Sequence, residues 1–298
     1  MPVDIPEATD PVTDHEIDHE PEPKHEPEYE PEHEPEYEPE QSIFTGGDRL
    51  RTAGKGRFMS YSILCLVHAD HVGAGTTSAW AASRGYMWTS IDLSAGENLP
   101  EDPSGFDCII VTGGPMGVYD ADTYPWIHDE LSFVRRAIDR RVPLFGLCLG
   151  GQLLAAALGA DVHRHDHHEI GWWPVRLTAA ARNLHCWSHM PDEFTAMMWH
   201  GDTFHLPPDT IHLASSAGCA RQGFATTDGR VIGVQYHPEF DMTDVRRLLD
   251  VNELPHTSTQ WVSSVEDIRR GHEHADTGRT LWWEMLDRFL EMHQDPRD

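Results

Sequence analysis

A cysteine in a glycine-rich turn is the residue of this chain best suited to nucleophilic chemistry. Cys148 lies in PLFGLCLGGQL, residues 143–153, between an apolar run that resembles a buried strand and the helix-like run LLAAALG. The pattern Gly146-x-Cys148-x-Gly150 is typical of a nucleophile elbow, a strained strand-to-helix turn that requires small neighbours. Such a turn points the sulfur at a substrate and places it at a helix N-terminus, where the dipole favours a thiolate. The alternative interpretation is a small buried cysteine in a tight turn.

A histidine and a glutamate two residues apart could supply the base and the orienting group that a catalytic thiol needs. His237 and Glu239 lie in VQYHPEF, residues 234–240, at the end of a strand-like run. In an extended backbone, positions i and i+2 face the same side, so Glu239 can hold the His237 ring and favour the imidazolium. A histidine at a strand end is often only a capping or core residue, and the presence of Cys148 favours the catalytic interpretation.

Strand-like and helix-like segments alternate through the first part of the body at βαβ spacing. Strand candidates are residues 62–68, 86–93, 106–115 and 142–147, and helix candidates are residues 75–85 and 124–141. This alternation predicts a three-layer α/β fold, with a mostly parallel central sheet and helices on both faces. Catalytic groups in such sheets lie at the carboxyl ends of strands, where the glycine-rich stretch TGGPMG and the Cys148 turn both fall.

Five motifs in this chain resemble the class I glutamine amidotransferases with a Cys-His-Glu triad. They are TGGPMG (112–117), FGLCLGGQ (145–152), EIGWWPV (169–175), WHGDTFHLP (199–207) and GVQYHPEF (233–240). The third and fourth are similar to the guanosine monophosphate synthetase-like, single-domain branch. The resemblance covers roughly residues 60–245 and implies a flavodoxin-like topology. One departure is Gly151, which stands where many members have histidine or another residue.

The resemblance also implies a role for each matching residue. Cys148 would attack the carboxamide carbon of glutamine, and His237, oriented by Glu239, would protonate the departing ammonia and then activate water. Backbone N–H groups of Gly114 and Leu149 would hold the oxyanion. Four further residues would bind glutamine: Gln152, His200, Gly201 and Asp202. No cofactor and no metal ion are expected.

Three regions are predicted along the chain. Residues 1–57 form a disordered acidic tail and linker, residues 58–250 the amidotransferase domain, and residues 251–298 a helical extension packed on it. The tail repeats HEPEYEPE at 25–32 and 33–40, and its regular prolines and dense glutamates disfavour a helix. A metal-binding or partner-binding arm is the alternative, and its ligands would be His15, His19, His25 and His33.

Charge and cysteine content limit the classes of function. The net charge is −28, and the first 41 residues, with 16 acidic residues and Lys24 as the one basic residue, account for −15 of it. The remaining acidic body argues against nucleic-acid binding. No secretory signal and no apolar run of membrane-spanning length are evident. The five cysteines show no paired spacing, so a reducing cytoplasm is expected, with Cys65 and Cys108 as core residues.

A histidine-rich stretch, HRHDHHEIG at residues 163–171, precedes the third motif. A zinc site is one interpretation of His163, His165, His167 and His168. Adjacent surface histidines that lack a cysteine or a fixed ligand spacing more often remain solvated, and the sequence favours that second interpretation.

Three functions are compatible with these residues. The first is a glutaminase that delivers ammonia to a separate synthetase subunit, because no P-loop is present and few residues follow HPEF. The second is a stand-alone hydrolase of γ-glutamyl amides or peptides, which would use the same thioester. The third is a catalytically silent binding module, which the presence of all three triad residues argues against.

Overall fold

A nine-stranded sheet runs through the part of the chain that the computed structural model describes, residues 60–255 and 260–294. Its strands are β1 Ser62–Val67, β2 Met87–Asp92, β3 Cys108–Val111, β4 Leu144–Leu147, β5 Val162–Leu177, β6 Glu193–Phe204, β7 Thr210–Ser215, β8 Gly223–Thr226 and β9 Val231–Val234. The strand order is β2-β1-β3-β4-β9-β8-β7-β5-β6.

The sheet has a parallel half and an antiparallel half. Strands β2, β1, β3, β4 and β9 pair in parallel and follow the 2-1-3-4-5 order of flavodoxin-like sheets. From β9 through β8, β7, β5 and β6 every pairing is antiparallel. The α/β class is therefore confirmed, and the antiparallel strands make the sheet a mixed one. Parallel strands share one carboxyl edge, so the turns after β3, β4 and β9 meet there.

Six α-helices cover this sheet and its edges. They are α1 Thr77–Ser83, α2 Trp126–Asp139, α3 Leu149–Ala157, α4 Met242–Val251, α5 Val265–Arg269 and α6 His272–Glu291. Helices α2 and α3 pack on one face of the parallel half, and α1 and α6 pack on the other. Within the described residues, none of the helices combines the length and the apolar character needed to cross a membrane.

Burial on both faces explains the continuous apolar runs of the parallel strands. In β1, Ile63 joins the core on the α1 and α6 side, whereas Leu64 and Leu66 join the core on the α2 and α3 side. Helix α2 buries Ile127 and Val134 in that second core, as its amphipathic pattern predicts.

Helix α6 supports the strand that leads to Cys148. Its side chains Trp282, Leu286 and Phe289 are fully buried, and burial of each such side chain contributes about 1.5–3 kcal/mol. The rings of Trp282 and Phe289 meet Phe145 of β4 edge to face, at 4.8 and 5.7 Å between centroids. The core beneath the cysteine turn thus depends on residues near the end of the chain.

The element predictions differ from the structure mainly in extent. The apolar run WWPVRL at residues 172–177 predicts a strand, whereas β5 spans Val162–Leu177 and includes the histidine-rich stretch. The amphipathic stretch TLWWEMLDRFLEMH at residues 280–293 predicts a final helix, whereas α6 begins at His272. The tail assigned to residues 1–57 lies outside the described residues, and the three-region division stays a prediction.

Candidate active site

Cys148 occupies a strained turn between β4 and α3. It is the N-cap residue of α3 and has φ 51° and ψ −110°, a conformation that is uncommon for a residue with a side chain. Its N–H donates to the Val234 carbonyl (2.8 Å), and the Gly150 N–H donates to the Thr112 carbonyl (3.0 Å). These bonds attach the turn to β9 and to the end of β3, which compensates for the strain.

The glycines around Cys148 are required by the close approach of backbone segments. A β-carbon at Gly150 would overlap with the Val111 carbonyl oxygen, and one at Gly151 would lie 2.7 Å from the Val234 carbonyl oxygen. At Gly146 a β-carbon would lie 2.5 Å from the Gly150 carbonyl oxygen. The glycines at positions 146 and 150, which form the pattern identified in the sequence, are therefore a steric requirement of the elbow.

His237 and Glu239 form a buried pair next to Cys148. His237 Nδ1 donates to Glu239 Oε1 (2.7 Å), and both side chains are almost inaccessible to solvent. Cys148 and His237 line the same small pocket. A β-carbon at Gly113 would lie 3.0 Å from His237 Cε1 and 3.6 Å from Cys148 Cβ. The three residues that the sequence groups as a triad are thus neighbours in the structure.

The surroundings of His237 favour its protonated form. Burial alone would lower the pKa of His237, but the Glu239 charge and hydrogen bonds with Cys148 and Glu239 outweigh burial and raise that pKa to about 10. The ring stacks on Phe240 at 4.2 Å between centroids, and the His237 N–H donates to the Met197 carbonyl (2.8 Å). An imidazolium held in one orientation beside a thiol can stabilise the thiolate and later deliver a proton.

The loop before α1 supports Glu239, and this contact was not predicted from the sequence. The Thr76 N–H and hydroxyl both donate to the Glu239 carbonyl, at 2.8 and 3.0 Å. Gly75 has φ +52°, and a β-carbon there would overlap with the same carbonyl oxygen. The glycines of the GAGTT stretch around Gly75 could have indicated a close approach of two backbone segments. They could not have identified the second segment, because Thr76 and Glu239 are 163 residues apart in the sequence.

Gly114 and Leu149, the predicted oxyanion donors, flank Cys148. Leu149 is the first residue of α3, where N–H groups lack an intrahelical acceptor, and Gly114 lies in the turn after β3. Neither N–H donates to another group among the described residues. A β-carbon at Gly114 would lie 2.8 Å from Leu149 Cδ2, so the two donors are close to each other.

A buried histidine that the sequence did not single out holds the turn carrying Gly114. His68 Nδ1 donates to the carbonyls of Thr112 (3.1 Å) and Gly113 (3.2 Å), and Nε2 donates to Glu130 Oε1 (2.9 Å). Burial lowers the pKa of His68, but the Glu130 charge and these hydrogen bonds raise it overall. Because all these partners are acceptors, both ring nitrogens must carry protons, and His68 is an imidazolium.

An open cleft of about 560 Å³ leads to Cys148 and collects the predicted substrate-binding residues. Gln152, Gly201 and Asp202 all line it. The Gln152 side-chain amide has no hydrogen-bond partner elsewhere in the described chain, so it is free to bind a ligand. Tyr119, which the sequence did not identify, donates its hydroxyl to Asp202 Oδ2 (2.8 Å) and joins the two walls of the cleft.

His200 also borders the cleft, but its ring is already engaged. Nε2 donates to Glu169 Oε2 (3.0 Å), and Nδ1 lies 3.0 Å from the Asp202 carbonyl oxygen. Glu169 also accepts hydrogen bonds from Ser216 and from Gln222. His200 therefore fixes the backbone of the His-Gly-Asp segment, and its ring nitrogens are not available to glutamine.

The histidine-rich stretch is a strand with partners. His167 Nε2 donates to the Gly218 carbonyl (2.9 Å), and the rings of His165 and His167 lie 4.3 Å apart. His163 pairs with Thr203 of β6, whereas residues 165–168 form an irregularity without partners in that strand. The side chains of His163, His165 and His167 are half-buried and that of His168 is exposed, so the stretch is only partly solvated.

Comparisons with known proteins identify the family. The model of the family described as glutamine amidotransferase class-I matches residues 83–252, more than half of the chain. The chain belongs to the class-I glutamine amidotransferase family. The resemblance of the motifs to this family is thereby confirmed.

Several known proteins are similar to parts or to most of this chain. A putative glutamine amidotransferase-like protein of Salmonella typhimurium is 31% identical over 76% of this chain and 94% of its own length. The GMP synthase [glutamine-hydrolyzing] of Mycobacterium marinum is 37% identical, over 44% of this chain and only 23% of its own length. The crystal structure of a glutamine amido transferase from Methylobacillus flagellatus matches 80% of this chain and 97% of its own, with a TM-score of 0.74 and 26% identity.

Proposed function

We propose that this protein hydrolyses the side-chain amide of glutamine through a γ-glutamyl thioester on Cys148 and supplies the ammonia to a separate synthetase. The observation that carries the proposal is a strained cysteine turn that lines the cleft and lies next to His237. His237 is itself held by Glu239 through a 2.7 Å hydrogen bond. This is the arrangement that nucleophile, base and orienting group require.

In the first half-reaction, the Cys148 thiolate forms a bond to the amide carbon, and the carbonyl oxygen becomes an oxyanion. The N–H groups of Gly114 and Leu149 have no other acceptor among the described residues, so they can donate to it. Each such donor contributes roughly 3 kcal/mol in comparable sites. When the C–N bond breaks, His237 gives its proton to the nitrogen, ammonia leaves, and the thioester and a neutral imidazole remain.

In the second half-reaction, neutral His237 takes a proton from water as the hydroxyl attacks the thioester carbonyl. The C–S bond breaks, glutamate leaves, and the thiolate and imidazolium are restored together. Glu239 keeps the ring in one orientation through both steps, because its carboxylate is fully buried and its backbone is fixed by Thr76. The Phe240 ring, which stacks on the His237 ring, also limits rotation of the imidazole.

The cleft offers groups for the amino-acid end of glutamine. The Asp202 carboxylate, held by Tyr119, can pair with the α-amino group, and the free amide of Gln152 can hydrogen-bond to the substrate. His200 acts indirectly, since it holds the Asp202 carbonyl and not the ligand.

The separate synthetase is the more specific part of the proposal. It is supported by the partial match to the M. marinum GMP synthase, a protein named for glutamine hydrolysis, because the matched segment covers only 23% of that protein. The proposal also places the protein in the cytoplasm, where the unpaired cysteines of the described chain stay reduced.

A second candidate, a stand-alone hydrolase of γ-glutamyl amides, is favoured by the size of the cleft. At about 560 Å³ it lies within the range of pockets that enclose drug-sized ligands, so it has room for a γ-glutamyl compound larger than glutamine.

One assay separates these candidates. Glutamate release from the full chain is measured with glutamine and a panel of γ-glutamyl amides and peptides, and with Cys148→Ala as the control. Turnover of glutamine that Cys148→Ala abolishes supports the proposal, and turnover confined to γ-glutamyl amines supports the second candidate. Absence of turnover on every substrate, also in the presence of candidate synthetases, contradicts both and leaves a binding module.

A further inference from the structure

A cluster of metal-ligating side chains lies outside the candidate active site. Asp161 precedes β5, His163 is in β5, and His205 follows β6. One ligand atom from each of the three lies within 4.8 Å of the others. Asp161 Oδ2 is 3.3 Å from His163 Nδ1 and 3.5 Å from His205 Nδ1. Neither the catalytic steps nor the binding of glutamine uses any of these residues.

The spacing of these atoms is that expected of ligands around one metal ion. Zinc binds imidazole nitrogen and carboxylate oxygen at about 2.0–2.2 Å, so neighbouring ligands of a tetrahedral site lie about 3.3 Å apart. Both distances from the Asp161 oxygen to the histidine nitrogens match this edge length. The rings of the two histidines lie 4.7 Å apart between centroids. Only the distance between these two rings would have to change when the metal ion binds.

The backbone fixes these side chains relative to each other. The His205 N–H donates to the Asp161 carbonyl (2.9 Å), and Val162 pairs with Phe204 in the antiparallel ladder. His163 Nδ1 is buried and has no hydrogen bond within the described chain. The Asp161 carboxylate is 3.3 Å from this nitrogen but does not form a hydrogen bond with it, and a metal ion between the two groups would satisfy both.

The ligand set identifies the class of ion. Two imidazoles and one carboxylate suit Zn²⁺ and its first-row neighbours, whereas Mg²⁺ and Ca²⁺ prefer oxygen ligands alone. Three protein ligands leave at least one position for water, and the exposure of the Asp161 side chain, 70%, gives the ion a route from solvent.

We propose that Asp161, His163 and His205 form a binding site for a divalent transition metal of the zinc class, which clamps the paired ends of β5 and β6. The next residues inward, Arg164 and Asp202, form a backbone pair and line the cleft. A metal ion at this position therefore stabilises the strand ends that carry one wall of the cleft. This site is independent of the glutaminase proposal, since its existence does not require turnover.

Thermal unfolding of the full chain tests the site. After removal of metal with EDTA, the melting temperature is measured with and without ZnCl₂ for the wild type and for His163→Gln and His205→Gln. His185→Gln is the matched control, because His185 is as exposed as His205 and also faces one carboxylate, Glu291. Cys148→Ala controls for zinc bound to the thiol. The histidines of residues 1–41 are present in every variant, so their contribution is the same throughout.

Saturating Zn²⁺ is expected to raise the melting temperature of the wild type, His185→Gln and Cys148→Ala by about 5 °C. His163→Gln and His205→Gln should lose at least about three quarters of that rise. The proposal is overturned if Zn²⁺ does not raise the wild-type value, or if either histidine variant keeps the full rise. It is equally overturned if the rise disappears in Cys148→Ala, because the ion would then be at the nucleophile.

Discussion

Replacement of Glu239 by glutamine tests the proposed role of the buried pair most sharply. The change keeps the shape of the side chain and removes its charge, 2.7 Å from His237 Nδ1. Without the carboxylate, burial becomes the dominant influence, and the pKa of His237 should fall from about 10 to its ordinary value of 6.5 or lower. At pH 8 the ring would then be mostly neutral, and the enzyme would lack its resting imidazolium.

The expected loss follows from the chemistry assigned to that proton. General acid–base catalysis by a positioned side chain contributes about 10²–10⁴-fold to a rate. We therefore expect Glu239→Gln to lower kcat/KM for the best γ-glutamyl substrate by about 10²–10⁴, or about 3–5 kcal/mol of transition-state stabilisation. The rate of alkylation of Cys148 by iodoacetamide should also fall near neutral pH, because less of the sulfur is thiolate.

Glutamate release and iodoacetamide labelling, each from pH 6 to 10, measure both effects. Glu169→Gln is the matched control for the pH profile and for the labelling of Cys148, since it removes an equally buried carboxylate from another His–Glu pair, at 3.0 Å. Circular dichroism and melting temperature establish that each variant is folded. Activity of Glu239→Gln within about tenfold of the wild type, with an unchanged pH profile, would refute the assigned role.

Four further predictions concern the same site. In the native protein, iodoacetamide should modify Cys148 alone, because burial raises the pKa of the other four thiols; peptide mass spectrometry checks this. Gly150→Ala should destabilise the protein by about 2 kcal/mol or more in urea unfolding, since a β-carbon there overlaps with the Val111 carbonyl. His68→Gln should lower kcat about tenfold or more with little change in KM, because His68 holds the TGGP turn; an equal rise in KM would contradict this. Ionised His237 contributes stability that is fully present below pH 6.5 and is lost as the pH rises through about 10. The urea midpoint of the wild type should therefore fall between these two pH values by more than the midpoint of Glu239→Gln does.

The parallel half of the fold and the triad could be predicted because their signals are local. The strand β1 is buried on both faces, which leaves a continuous apolar run in the sequence. The elbow needs glycine at fixed offsets from Cys148, and Glu239 lies two residues from the histidine it orients. Each of these constraints operates within a few residues, so a single sequence displays it.

Features that depend on distant partners were not predictable. The histidine-rich part of β5 lacks an alternating apolar pattern, and β6 pairs with it on both sides of an irregularity at residues 165–168. The support of Glu239 by Thr76 spans 163 residues. The ion pair of His68 with Glu130 connects β1 to α2, and neither residue has a motif around it. In all three cases, the tertiary structure supplies the partner that the local sequence does not indicate.

The start of α6 shows how packing overrides local preference. The stretch HEHADTGR at residues 272–279 is polar and contains Gly278, so the sequence indicates a helix only from residue 280. The structure continues the helix back to His272, where Ala275 joins the core formed with α4 and α5. Burial of that turn outweighs the weak helix propensity of its residues.

The most direct test of the central claim is a search for the covalent intermediate. The full chain is mixed with glutamine, and separately with a γ-glutamyl amide, quenched with acid within one turnover, and analysed by intact-protein and peptide mass spectrometry. The account predicts a γ-glutamyl adduct on Cys148 that is absent from Cys148→Ala and accumulates when water attack is slowed. Turnover with no adduct on Cys148, and with undiminished activity of Cys148→Ala, would contradict it.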